Sequence, residues 1–391
     1  MSGHPELFVD RSARQGGEAT AREIAQQPDV WREVEGVVTS RQDEIDAFIG
    51  PLMERQELRI VLTGAGTSAF AGEILAPALS RRTGRRVDAV ATTDIVSNPG
   101  EYFAGDEPTL LVSFARSGNS PESAAATELA DRLLPECHHL VLTCDRNGRL
   151  YERHADSAGS FVLLMPEATN DQGFAMTSSF TSMTLAAYLA LGVVTSSGEL
   201  VGRLAAAAEG ILATRQEGIQ RLAASGYERV VYLGSGPLKG LAHESSLKLL
   251  ELTAGEIVTY FESPLGFRHG PKSIIDDRTL AVLYVSGDPY TRKYDLDLLA
   301  ELKRSMPSES IITVAAAGAD QAADDPSFWL VEGVDGVDDA ALALPFIVAA
   351  QLLGLCFSLD LGYTPDNPFP NREVNRVVQG VSIHPLPEES S

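Results

Sequence analysis

The chain has 391 residues, 44% of them hydrophobic and 22% charged, the balance of a folded chain with two or more domains. Its 54 acids against 31 bases leave a formal net charge of −23. A field of that sign repels nucleic acid and anionic membranes, so neither is expected as a partner. Three cysteines make no disulfide framework, the first residues are polar with no apolar leader, and no apolar run reads as a membrane span. A cytoplasmic location is expected.

The segments Thr20–Gln27 and Val30–Leu52 place apolar residues at helical spacing. Short apolar runs then alternate with helical patterns. Strands are expected at Leu58–Leu62, Leu110–Val112, Leu140–Thr143 and Ser160–Leu164, and one long helical stretch at Met183–Ala224. The pattern restarts at Arg229–Leu233, with further strands expected at Leu280–Val285, Ile311–Val314 and Phe328–Val331. A strand running into Gly-x-Gly and a helix occurs twice, at Val61–Gly66 and Val231–Gly236. The fold class expected is therefore α/β, a tandem duplication of one doubly wound, flavodoxin-like unit, each a mostly parallel sheet flanked by helices. The expected divisions are a helical segment 1–47, units at 48–215 and 216–365, and a tail 366–391.

Two turns invite an anion. The first, Gly64-Ala65-Gly66-Thr67-Ser68, admits three readings. It is a purely structural turn, a phosphate site using the Thr67 and Ser68 hydroxyls beside Gly66, or a dinucleotide site with Asp88 as its acid. The second is the serine-rich stretch Ser113–Ser123, in which Arg116, Ser117, Gly118 and Ser120 precede Pro121 at a helix start. One serine would suffice as a cap. Several hydroxyls, a glycine and an arginine on one turn exceed that need and point to phosphate.

The candidate chemistry lies further on. Glu244, Lys248 and Glu251 share one helix face, either as a solvated stripe or, given the leucines around them, as a partly buried set. His269 follows in Gly266-Phe267-Arg268-His269-Gly270-Pro271, a loop whose stiff backbone aims the ring. A carboxylate and a histidine suit proton shuttling. None of the seven histidines shows metal-ligand spacing such as His-x-x-x-His, and His138-His139 reads as a surface pair. No metal and no cofactor are expected.

These motifs, with Thr169–Met183 (TNDQGFAMTSSFTSM), resemble the sugar isomerase (SIS) superfamily over nearly the whole chain. The layout is similar to the isomerase half of glucosamine-6-phosphate synthase. The tail Asp366–Gly380 and the Arg-His-Gly-Pro turn look closest to the tagatose-6-phosphate ketose/aldose isomerase family, whose members are regarded as galactosamine-6-phosphate deaminases. The resemblance implies that Ser68, Ser117 and Ser120 contact phosphate, with Ala115-Arg116 standing where the synthase has Ser-Gln. It implies that Glu251 transfers the proton, Lys248 and Glu244 assist it, and His269 opens the ring. It also places Thr177 and Gln379 near the sugar. Gln379 stands at the synthase's imine-forming lysine and cannot form an imine. The short stretch before the first unit leaves no room for a glutaminase half, which favours releasing ammonia over installing it.

The expectation is thus a deaminating isomerase of an amino-hexose phosphate, acting as a homodimer or higher homo-oligomer. The alternatives are a non-deaminating aldose–ketose isomerase and a non-catalytic sugar-phosphate sensor.

Overall fold

The structure, a computed structural model, describes residues 16–192, 197–318, 325, 327–371, 374–378 and 380–387. Three helices come first: α1 (Glu18–Ala25), α2 (Gln27–Ser40) and α3 (Gln42–Met53). The first sheet contains β1 (Arg59–Thr63), β2 (Arg86–Ala89), β3 (Thr109–Ala115), β4 (Cys137–Thr143) and β5 (Ser160–Leu164). Its helices are α4 (Thr67–Thr83), α5 (Pro121–Leu133) and α6 (Arg149–His154), followed by α7 (Ser178–Ala190), α8 (Ser197–Thr214) and α9 (Gln216–Ala223). The second sheet contains β6 (Arg229–Leu233), β7 (Val258–Glu262), β8 (Thr279–Tyr284), β9 (Ile311–Ala316) and β10 (Phe328–Val331), with helices α10 (Pro237–Leu252), α11 (Thr291–Ser305) and α12 (Asp339–Asp360).

The strand orders are β2-β1-β3-β4-β5 and β10-β9-β8-β6-β7, so both sheets have the same topology. Every neighbouring pair is parallel. The central strands are buried on both faces, which is why they read as unbroken apolar runs. In each sheet the chain reverses direction of winding between the first and third strands of the unit. That reversal leaves a crevice at the carboxyl ends of β1 and β3, and another at those of β6 and β8.

The expected strands are present, and two more join them. β2 and β7 are edge strands with mostly half-exposed or exposed residues, so neither leaves an apolar signature. The long helical stretch expected over Met183–Ala224 is divided into α7, α8 and α9. The expectation that no run is long enough to span a membrane is corrected by α12. Within its 22 residues a stretch of 18 has a mean hydropathy of 2.2, and the whole of that stretch is buried inside the protein. A helix apolar on every side is a core helix when its surroundings are protein. The Asp338 carboxylate caps it, accepting from the Ala340 and Ala341 amides at 3.0 and 3.3 Å.

Two features join the halves. Helices α4 and α10 approach so closely at Gly240 that a Cβ there would lie 2.8 Å from the Ile74 nitrogen. On the other side, Gln27 of α2 donates to Gln351 of α12 at 2.7 Å. The tail returns to the beginning of the chain. Asp366 accepts from the Ala19 amide at 3.0 Å, the Thr20 amide at 2.8 Å and the Thr20 hydroxyl at 2.7 Å, capping α1.

Candidate functional site

The first crevice is built by two turns. After β1, Gly64 admits no side chain, because an added Cβ would sit 2.6 Å from Ser68. Gly66 has φ of +55° and ψ of −128°, a conformation essentially restricted to glycine, and it starts α4 with Thr67 and Ser68. After β3 come Arg116, Ser117, Gly118 (φ +64°), Asn119 and Ser120. The Asn119 amide donates to the Ser117 hydroxyl at 3.3 Å. Ser120 occupies the cap position of α5, yet its hydroxyl pairs with that of Ser123 at 2.5 Å and with no backbone amide. The amides at the start of α5 thus have no side-chain cap, as an anion site requires.

Helix α10 brings the acid–base set to the same place. Glu244 and Lys248 are fully buried, while the Glu251 side chain is 26% exposed. The solvated-stripe reading is therefore excluded. Lys248 Nζ lies 2.6 Å from Glu251 Oε2 and 3.6 Å from Glu244 Oε1, so Glu251 is its ionic partner. Burial pushes the Glu244 carboxyl up to about 8, against the opposing pull of Lys248. Burial alone would lower the Lys248 ammonium, but the two carboxylates outweigh it and hold it above its usual value. Arg116 sits among these charges. Its guanidinium is lowered by burial and by Arg376, and supported by Asp171 and Glu251.

Unpaired polar atoms concentrate here. Among the described residues, Thr63 Oγ1, Ser113 Oγ, Arg116 Nη1 and both oxygens of Glu244 are buried without a hydrogen-bond partner. Thr63 and Ser113 are register partners at the carboxyl ends of β1 and β3. Orphaned buried groups are rare in folded proteins, and a cluster of them marks where a polar ligand belongs.

Relatives of the chain fit this site. A family model for the SIS domain matches residues 53–193. A Streptomyces coelicolor AgaS protein, provisionally named as a D-galactosamine-6-phosphate deaminase, is 57% identical over 94% of this chain and 95% of its own. An Escherichia coli protein named D-galactosamine-6-phosphate deaminase AgaS is 46% identical over 97% and 99%. The chain belongs to the AgaS family. Among solved structures, the E. coli tagatose-6-phosphate ketose/aldose isomerase is 41% identical, with a TM-score of 0.88 over 98% of this chain and 99% of that one.

The residues expected from the sequence are not all placed together in this AgaS-family chain. His269 follows the short helix Pro264–Phe267 and is exposed. Its backbone amide donates to Gly266 at 2.9 Å, and its ring has no hydrogen-bond partner among the described residues. Gln379 lies outside the described residues. Thr177 is buried and serves the loop before α7, its amide donating to Asp171 at 2.8 Å. Asp88, the acid of the dinucleotide reading, is bound instead by Arg59 at 2.6 Å and Arg86 at 3.0 Å. His139 is not at the surface, since it is buried against Asp131.

Sequence reasoning missed three groups. Asp171 is fully buried and accepts from the Thr177 and Ser179 amides and the Ser179 hydroxyl, fixing the loop over Ser68. In that loop Met176 Sδ lies 3.9 Å from the Ser68 hydroxyl. Glu23 holds the same loop through the Gln172 and Gly173 amides, and burial beside Asp171 pushes its carboxyl up to about 7. The tail residue Arg376 offers its carbonyl to Arg116 at 3.0 Å and donates to the Gln172 carbonyl at 2.8 Å. Asp171 lies inside the Thr169–Met183 segment and Arg376 inside the Asp366–Gly380 tail, whereas Glu23 carried no signal in the sequence.

Proposed function

We propose that this chain converts galactosamine 6-phosphate, or a close amino-hexose phosphate, with water into tagatose 6-phosphate and ammonia. The observation that carries this reading is the meeting of the phosphate turns around Arg116 with Glu251 and the buried Glu244 and Lys248. The names of near full-length relatives supply the sugar.

The amides and hydroxyls of Gly66–Ser68 and Arg116–Ser120 hold the phosphate. Glu251, kept ionised and oriented by Lys248, removes the proton from C2 of the open-chain sugar and returns it to C1. The C2–N bond becomes an imine, which water hydrolyses to the ketose and ammonia. The carbonyl of the open sugar acidifies the C2 proton, so Glu251 faces a proton that a carboxylate can move. His269 moves the ring-opening proton, and its exposed position fits delivery to the site of a second copy of the chain in a homodimer. The residue at 379 is glutamine, whose amide nitrogen forms no imine with a carbonyl.

A second reading is aldose–ketose isomerisation without loss of nitrogen, favoured by the name of the E. coli structural relative. The same proton transfer serves both. Ammonia release from galactosamine 6-phosphate, set beside turnover of tagatose 6-phosphate, separates them. Turnover of tagatose 6-phosphate with no ammonia from any hexosamine 6-phosphate would overturn the first reading.

A further inference from the structure

At the amino end of β4, opposite the crevice, the chain reads Cys137-His138-His139. Alternation along a strand separates these residues. His138 lies 3.1 Å from Glu136 Oε1, whereas His139 meets α5, its Nε2 2.7 Å from Asp131 Oδ1. Cys137 shares the face of His139. One ligand atom each of Asp131, Cys137 and His139 falls within 4.8 Å of the other two.

The surroundings are those of an unfinished polar site. His139 is 3% exposed, and its Nδ1 has no hydrogen-bond partner among the described residues. The same holds for Nε2 of His154 on α6, whose ring centroid lies 4.6 Å from that of His139. The Nδ1 of His154 pairs with the Ser160 hydroxyl at 2.8 Å, so the unpartnered atom of that ring is Nε2. Arg153 bonds the outer oxygen of Asp131 at 2.8 Å, and so orients the carboxylate without using Oδ1.

We propose that Asp131, Cys137 and His139 bind a divalent cation of the zinc type. Sulfur, imidazole nitrogen and one carboxylate oxygen are the donors zinc prefers, and cobalt(II) substitutes for it. The Asp131 side chain is 43% exposed, which leaves room for water as a fourth ligand. Binding releases the Cys137 thiol proton to solvent, and the resulting thiolate with the Asp131 carboxylate neutralises the two positive charges. Arg153 on the far oxygen is the kind of outer partner that holds a metal ligand in place. The site ties α5 to β4 at the end of the sheet away from the sugar-phosphate crevice, so its role is structural.

The test uses the full-length protein, stripped with a chelator and titrated with cobalt(II) chloride. One cobalt per chain is expected, with a near-ultraviolet thiolate-to-cobalt charge-transfer band. Cys137→Ser is expected to lose that band while keeping the far-ultraviolet circular dichroism of the parent. Asp131→Asn, at a surface position, is expected to weaken binding about tenfold or more. No band in the parent protein, or a band that survives Cys137→Ser, would overturn the site.

Discussion

The two crevices share one backbone plan and differ in what fills them. In the first, the Gly64-Ala65-Gly66 turn leads to Thr67 and Ser68, and Thr63, Ser113 and Arg116 keep unpaired polar atoms. In the second, the matching turn Gly234-Ser235-Gly236 leads to Pro237 and Leu238, which offer no hydroxyl. There the chain supplies its own anions. Asp295 of α11 accepts from the Ser235 hydroxyl at 2.6 Å and the Ser286 amide at 2.9 Å. Asp339 accepts from the Ser286 hydroxyl and the Gly287 amide, both at 2.6 Å. Carboxylates thus hold the donors that a phosphate would use. The helices diverge in the opposite sense: where α4 carries Ile74, Ala78 and Arg81, α10 carries Glu244, Lys248 and Glu251. On the proposed function, a duplicated scaffold has divided its labour, one crevice keeping anion binding and the other half's helix taking proton transfer.

That division can be broken in steps. The largest effect is expected from Glu251→Gln, a loss of about 10²–10⁴-fold in kcat with sugar-phosphate affinity nearly unchanged by calorimetry. Deaminase activity retained in that variant would assign the proton transfer elsewhere. Arg116→Met removes a cation from the phosphate turn and is expected to raise KM about 10–100-fold, the weight of one or two charge-assisted hydrogen bonds. An unchanged KM would remove Arg116 from the phosphate site.

Asp295→Asn touches only the second crevice. It is expected to cost about 1–3 kcal/mol of stability by chemical denaturation, with KM unaltered and one sugar phosphate bound per chain before and after. Two bound per chain in the parent would end the contrast between the crevices. The subtlest test is the pH dependence of stability. Glu244 titrates near 8 in the folded chain against an ordinary 4.5, so between those values the folded state holds more protons than the unfolded one. Stability therefore falls as pH rises through that window. Glu244→Gln is expected to flatten the slope of melting temperature between pH 5 and 8. An unchanged slope would mean that Glu244 is ionised in the folded protein.

Much of this was legible in the sequence because parallel strands buried on both faces leave continuous apolar runs, and their turns need glycine. β2 and β7 were not, since edge strands keep polar and apolar residues mixed. Helix α12 escaped because a helix buried all round shows no face. The Glu244–Lys248–Glu251 spacing announced a shared face, but not that two of the three are sealed from water. His139 read as surface because its partner, Asp131, belongs to the preceding helix, and only folding brings the two together. Glu23 and Arg376 lie far along the chain from the loop they hold, and no local pattern links them to it.

The carboxylate of Asp366 has one more implication. By capping α1 it fastens the last part of the chain to the first. Mechanically the polypeptide is closed on itself at this carboxylate. The opening helices and the tail that supports Arg116 are therefore coupled, and releasing one loosens the other.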